Sequence, residues 1–115
     1  MATLLEPLPK SQLEQTDSMI HELGFYAHHY GYMRLCVTVP CFARDPLQSL
    51  VKDVYPYVAA YFDESDWRAI EQSIRYAILD AWERRDPVVW EKYFPNLRKA
   101  PSNKQFIATL AMRFK

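Results

Sequence analysis

Apolar residues recur at Ile70, Ile74, Ala77, Ile78 and Ala81, the i, i+4, i+7, i+8, i+11 spacing that lays one stripe along a helix. They lie in residues 65 to 85, SDWRAIEQSIRYAILDAWERR, within the longest run of the chain free of glycine and proline, and this segment reads as one helix. Ser65 or Asp66 supplies an oxygen for the orphan amides of its first turn, and Arg84 and Arg85 suit its negative C-terminal end. Arg68, Glu71, Gln72, Arg75 and Tyr76 fall on the face away from the stripe. Just ahead lies a shorter apolar segment, YPYVAAYF (residues 55 to 62), joined through the polar DESD of residues 63 to 66. A short helix, a brief turn and a longer helix with a polar outer face outline a helix-turn-helix. The same outline fits the central core helix of a small bundle that binds no nucleic acid, and the pattern alone leaves both open.

The flanking segments add further helices. Pro7 and Pro9 keep residues 1 to 9 out of a regular helix, so residues 1 to 10 are expected to form a flexible arm and residues 11 to 115 a single helical domain. Ser11 to Glu14 has the form of a capping box, and a helix from there to Leu23 buries Leu13, Ile20 and Leu23 with Met19, ending at Gly24 in the left-handed position. In the aromatic stretch FYAHHYGYMRL, Gly31 marks a turn or a close backbone approach. Val37-Thr38-Val39 has strand propensity, but no partner strand exists elsewhere, so residues 32 to 43 are expected to be a helix that Pro40 kinks or ends. Asp45-Pro46 opens a helix to about Val54 that buries Leu47, Leu50, Val51 and Val54. Asp86-Pro87 repeats that start for a short helix over residues 88 to 94. Pro95, Asn96 and Pro101 mark a loop carrying Arg98 and Lys99; Ser102 and Gln105 form a second capping box, and the last helix buries Phe106, Ile107, Leu110, Ala111 and Phe114. The expected fold is all-α, a compact bundle of about six helices with the helix-turn-helix embedded in it.

Composition narrows the function. With 115 residues, half of them hydrophobic, the chain supports a core without disulfides or metals, and two glycines against eight prolines favour helices over hairpins. Net charge is zero, a poor overall footprint for a nucleic-acid binder. The distribution is uneven: residues 91 to 115 hold Lys92, Arg98, Lys99, Lys104, Arg113 and Lys115 against Glu91 alone, whereas residues 63 to 90 hold seven acids and four arginines. Cys36 and Cys41 fit neither a zinc knuckle nor a redox motif and read as buried free thiols of a reducing cytoplasm. His21, His28 and His29 lack companions at ligand spacing and read as surface or loop residues. No glycine-rich phosphate loop or nucleophile motif occurs, and Glu71, Asp80 and Glu83 stand among arginines as a solvated face. The expectation is therefore not an enzyme, with no cofactor, metal or small-molecule substrate. No signal peptide or apolar run approaching ~20 residues is present, which points to a cytoplasmic protein with no membrane partner.

Three stretches are collinear with a known family. They are Leu23-Gly24-x-x-Ala27-His28-x-x-Gly31-Tyr32-x-x-Leu35; Tyr55-Pro56 followed by Ile74-Arg75-x-Ala77-Ile78-x-x-Ala81-Trp82; and Lys99-Ala100-Pro101-Ser102-Asn103-x-x-Phe106-Ile107-Ala108. Over about residues 18 to 115 the chain resembles the C-terminal DNA-binding effector domain of the response regulator that initiates sporulation in Firmicutes. The resemblance implies a sequence-specific transcription regulator whose second helix, residues 65 to 85, enters the major groove of double-stranded DNA. It also implies phosphate contacts from nearby loops and binding as a homodimer on DNA. The DNA-binding residues it suggests here are Arg68, Glu71, Gln72, Arg75, Tyr76, Arg98, Lys99 and Lys104. In the full regulator a phospho-receiver domain precedes this module; residues 1 to 17 are too short for one, so a stand-alone homologue or a fragment is expected.

The reading helix departs from the family pattern. There the run has the form Arg-Val-Glu-Arg-Ala-Ile-Arg-His; here it is Ala69-Ile70-Glu71-Gln72-Ser73-Ile74-Arg75-Tyr76. Glu71 and Arg75 carry over, Ala69 and Gln72 replace two arginines, Tyr76 replaces the histidine, and Arg68 stands one position before the first lost arginine. Arginine is the commonest bidentate reader of guanine, so the target is expected to shift, with Gln72 suited to adenine and Glu71 to the cytosine amino group. Asp63, Glu64 and Asp66 in the turn are expected to oppose phosphates. The alternative is a protein-interaction module on the same scaffold, pairing with a sporulation-type regulator through the aromatic stretches Phe25 to Tyr32 and Trp82 to Phe94.

Overall fold

A computed structural model describes residues 7–45 and 47–114. Among them are six α-helices: α1 (Lys10–Glu22), α2 (Tyr30–Ala43), α3 (Tyr55–Tyr61), α4 (Trp67–Glu83), α5 (Pro87–Tyr93) and α6 (Asn103–Ala111). A π-helical turn, Leu50–Val54, runs directly into α3. The described residues contain no strand, and Val37-Thr38-Val39 lies in α2.

The middle of the fold is α2. Eleven of its fourteen residues are buried, and it packs against α1, α4 and α6. A helix apolar on every side must be covered on every side. Pro40 does not end it: α2 continues to Ala43, because neighbours on several flanks hold the backbone where a free helix would break. Gly31 is the close approach that its position suggests. A Cβ built there would lie 2.3 Å from the Ser73 carbonyl oxygen and 2.8 Å from Ala77 Cβ, so α2 and α4 cross backbone to backbone at this point. His29 caps α2, its Nδ1 accepting from the Gly31 amide at 3.1 Å.

At α1 the capping box does not form. Pro9 is the N-cap, its carbonyl accepting from Gln12 N at 3.0 Å and Leu13 N at 3.1 Å, which leaves Ser11 inside the helix. Leu8 is buried in the core and the Pro7 carbonyl accepts from Arg44 Nη2 at 2.8 Å. Residues 1–6 of the expected arm lie outside the described residues. The other end of α1 closes as expected. Gly24 takes φ +91°, and the Gly24 and Phe25 amides return to the carbonyls of His21 and Ile20, both at 3.0 Å.

The helix expected from Asp45 begins only at Leu50. Asp45 closes an isolated turn, accepting from Leu47 N on Oδ1 and from Gln48 N on its carbonyl, each at 3.0 Å; Pro46 itself lies outside the described residues. Ser49 then provides the competing cap. Its Oγ accepts from Lys52 N at 3.1 Å while Asp53 Oδ2 accepts from Ser49 N at 2.8 Å. This later start leaves Leu47 93% exposed and Val51 also exposed, against the expectation that both are core; Leu50 is half-buried and Val54 fully buried.

The remaining starts follow their caps. Asp86 Oδ1 accepts from Val88 N ahead of Pro87, and Ser102 Oγ accepts from Gln105 N. Beneath α5 and α6, the rings of Phe25, Trp90, Phe94 and Phe106 pack with centroids 5.3–6.4 Å apart, and Trp90 Nε1 donates to the Leu23 carbonyl at 2.9 Å. Cys36 and Cys41 are buried free thiols, pushed up to about 12 and about 11 by burial. Such thiols are protonated and inert at neutral pH.

Candidate nucleic-acid interface

Helices α3 and α4 and the turn between them form a helix-turn-helix whose turn is held on both sides. At the end of α3, Asp63 adopts φ +57°, and the Asp63 and Glu64 amides reach back to Ala60 O (3.2 Å) and Ala59 O (2.7 Å). Glu64 then folds inward. Its Oε1 accepts from Arg34 Nη2 at 3.0 Å and from the Tyr30 hydroxyl at 3.1 Å. Arg34 is buried, donates Nη1 to the Tyr30 carbonyl, and lies 3.8 Å from the Tyr30 ring centroid and 4.8 Å from that of Phe62. The turn is thus bolted to α2 by a mostly desolvated ion pair and cation–π contacts. Asp66 is the N-cap of α4, accepting from Arg68 N at 3.0 Å and from Arg68 Nε at 3.1 Å. The Arg68 side chain, and after it the Arg68 amide, hold the Asp66 carboxyl below the usual carboxylate range.

The stripe of α4 is fully interior: Ile70, Ile74, Ala77, Ile78 and Ala81 are each at most 1% exposed, and Ser73 joins them beneath Gly31. The opposite face fronts an open groove of about 1340 Å³, bounded also by residues 47–51 and by the segment from Leu97 to Gln105. Seven of the eight residues singled out from the sequence line it: Arg68, Glu71, Gln72, Arg75, Tyr76, Lys99 and Lys104. Arg98 is exposed but is not part of the lining.

These residues are not equivalent. Gln72 and Tyr76 are exposed and joined, Gln72 Nε2 donating to the Tyr76 hydroxyl at 2.9 Å. Arg75 is half-buried, and its Nη1 donates to the Pro101 carbonyl at 2.6 Å, with Asn103 Oδ1 at 3.5 Å. Asn103 is the hub that sequence reasoning passed over. Its Nδ2 donates to the Glu71 carbonyl at 3.0 Å and to the Tyr55 hydroxyl at 3.3 Å, so one amide ties the start of α6 to both helices of the motif. Its sequence signals are its place just after the Ser102 cap and its presence in the collinear stretch Lys99 to Ala108. Tyr55 also stacks on Trp67, centroids 6.2 Å apart. Lys99 and Lys104 are exposed and form no ion pair among the described residues.

The aromatic stretches proposed as a protein-docking surface are largely interior. Phe25, Tyr32, Trp90 and Phe94 are buried, and Trp82 is half-buried edge-on to Trp90 at 5.5 Å. Tyr26 and Tyr30 remain exposed, Tyr26 lying under the Arg84 guanidinium.

An all-helical domain with a helix-turn-helix, whose outer face opens on a groove bearing four cations, is the architecture of a DNA-binding module. Residues 16–114 match the family model described as the sporulation initiation factor Spo0A C terminal. The chain belongs to that family, which is one of DNA-binding effector domains rather than of enzymes. Among the described residues, no helix is long and apolar enough to cross a membrane.

Proposed function

We propose that this chain is a sequence-specific transcription regulator that places α4 in the major groove of double-stranded DNA. The observation that carries the reading is the convergence of Arg68, Glu71, Gln72, Arg75, Tyr76, Lys99 and Lys104 on one groove in front of the second helix of the motif. Arg68, Glu71, Gln72 and Tyr76 face the base edges in this reading. Lys99 and Lys104, with Arg98 beside the groove, hold phosphates, and Arg75 fixes the helix against the segment that carries those lysines. Residues 11–115 act as one unit, and two copies bind along the duplex.

Fluorescence anisotropy of a labelled random-sequence duplex, titrated at low and at raised salt, tests this. Neutralising phosphates releases counterions, so log affinity should fall linearly with log salt, with a slope of about −2 to −4 for two to four engaged cations. Absence of salt-dependent binding even at low ionic strength would refute the reading. Interaction with a partner protein through the aromatic stretches draws less support, because Phe25, Tyr32, Trp90 and Phe94 fill the core.

A further inference from the structure

Side chains on the outer face of α4 differ in what the protein has already asked of them. Arg75 Nη1 is held by the Pro101 carbonyl, and Arg68 is held at the first turn by Asp66. At the middle of the face stands the Gln72–Tyr76 pair, exposed and, among the described residues, bound only to itself. Its hydrogen-bond inventory is informative. A glutamine amide has two N–H donors and a carbonyl acceptor. One N–H of Gln72 goes to the Tyr76 hydroxyl, which leaves one N–H and the carbonyl oxygen. Those are the two groups required to meet adenine, the N–H on N7 and the oxygen on the N6 amino group. The tyrosine also holds a long, rotamer-rich side chain in place before any ligand arrives, which reduces the ordering cost on binding. Beside it, the half-buried Glu71 offers only acceptors, which repel the O6 and N7 acceptors of guanine.

We infer that Gln72, oriented by the Tyr76 hydroxyl, is the base-specifying residue of this chain and reads an adenine, with Glu71 disfavouring guanine at the neighbouring step. This rests on the DNA-binding reading above. Gln72 is the specificity-determining residue, and Tyr76 is a positioning residue acting through it.

The test is selection of bound duplexes from a random pool, run in parallel with wild type, Gln72→Ala, Gln72→Arg, Tyr76→Phe and Arg68→Ala. Anisotropy on one selected and one random duplex accompanies each variant. Wild type should enrich a motif with one adenine whose replacement weakens binding about tenfold. Gln72→Ala should lose preference at that position alone, and Gln72→Arg should convert it to guanine. Tyr76→Phe should keep the position but weaken its preference several-fold, while thermal stability stays at the wild-type value. If Gln72→Ala leaves the motif unchanged, or if the motif is a guanine that only Arg68→Ala abolishes, the inference is overturned while DNA binding stands. If no duplex is retained at low salt and anisotropy shows no binding, the DNA-binding reading itself fails.

Discussion

Replacing Gly31 with alanine is the sharpest probe of how the bundle positions α4. The new Cβ would sit 2.3 Å from the Ser73 carbonyl oxygen, 2.9 Å from the Ser73 carbonyl carbon and 2.8 Å from Ala77 Cβ. Two of these three atoms are backbone, so no side chain can rotate away. Relief to an ordinary contact of about 3.4 Å needs a shift of roughly 1 Å of one whole helix, at the upper end of the ~1–3 kcal/mol that overpacking costs. Alanine returns about 1 kcal/mol through its higher helix propensity. The balance is a loss of roughly 2 kcal/mol, or a fall in melting temperature of about 8 °C for a domain of this size. Urea denaturation should show a lower midpoint with an unchanged slope, since the surface exposed on unfolding is the same. Because the shifted element is α4 itself, DNA affinity should fall even at temperatures where the variant is fully folded. A Gly31→Ala protein as stable as wild type would refute the reasoning: it would mean that the two helices do not cross this closely and that propensity decides the sign. Gly24→Ala is the control, because its cost of about 1 kcal/mol comes only from the φ of +91°, with no neighbour within 4 Å.

Three further outcomes follow from the site. Glu64→Ala should cost about 3 kcal/mol in denaturant unfolding by leaving the buried Arg34 unpaired, whereas the double change Arg34→Met with Glu64→Leu should recover most of it. Arg75→Ala should lower stability by about 2 kcal/mol, the worth of a charge-assisted bond to a partly buried carbonyl; a thermal melt unchanged from wild type together with weakened DNA binding would make Arg75 a direct contact instead. Lys99→Ala and Lys104→Ala should leave the melting temperature unchanged and each reduce the salt slope of DNA binding by about 1, measured by anisotropy on a random duplex.

The features legible in the sequence are those whose causes are local. The α4 stripe is one periodic face, Asp86-Pro87 and Ser102 are caps acting within three residues, and Gly24 answers a single backbone dihedral. Where two local signals compete, the sequence misleads: Asp45 and Ser49 both offer caps four residues apart, and the pairing of Ser49 with Asp53 decides against burying Leu47. Pro40 does not end its helix for another reason: its penalty is local while its compensation comes from helices elsewhere in the chain. The centre of the fold was hidden too, since a helix buried all round shows no amphipathic stripe. Among candidate site residues, type and face were legible, but partnership was not. Arg75 to Pro101, Asn103 to Glu71 and Glu64 to Arg34 join residues 26 to 32 positions apart, and no spacing rule reaches that far.

Those long-range pairings resolve the conflict between a neutral chain and the phosphate-binding surface proposed for it. Read as a line of sequence, Asp63, Glu64 and Asp66 stand at the entrance to α4 and oppose DNA. In the fold, Glu64 is turned to the buried Arg34 and closes an internal ion pair. Asp66 is consumed as the α4 cap, where its charge also complements the positive helix end. Of these acids only Asp63 forms no ion pair among the described residues, and it sits in the left-handed position that ends α3. Among the groove-lining residues Glu71 stands alone against Arg68, Arg75, Lys99 and Lys104. At physiological salt, charges farther than about 8 Å apart scarcely interact through water, so the sign of this groove, rather than the zero net charge of the whole chain, governs the encounter with a phosphate backbone. The balance is narrow enough that Glu71→Gln alone should raise affinity for every duplex sequence in anisotropy titrations, and raise it most for duplexes carrying guanine at the step that Glu71 disfavours.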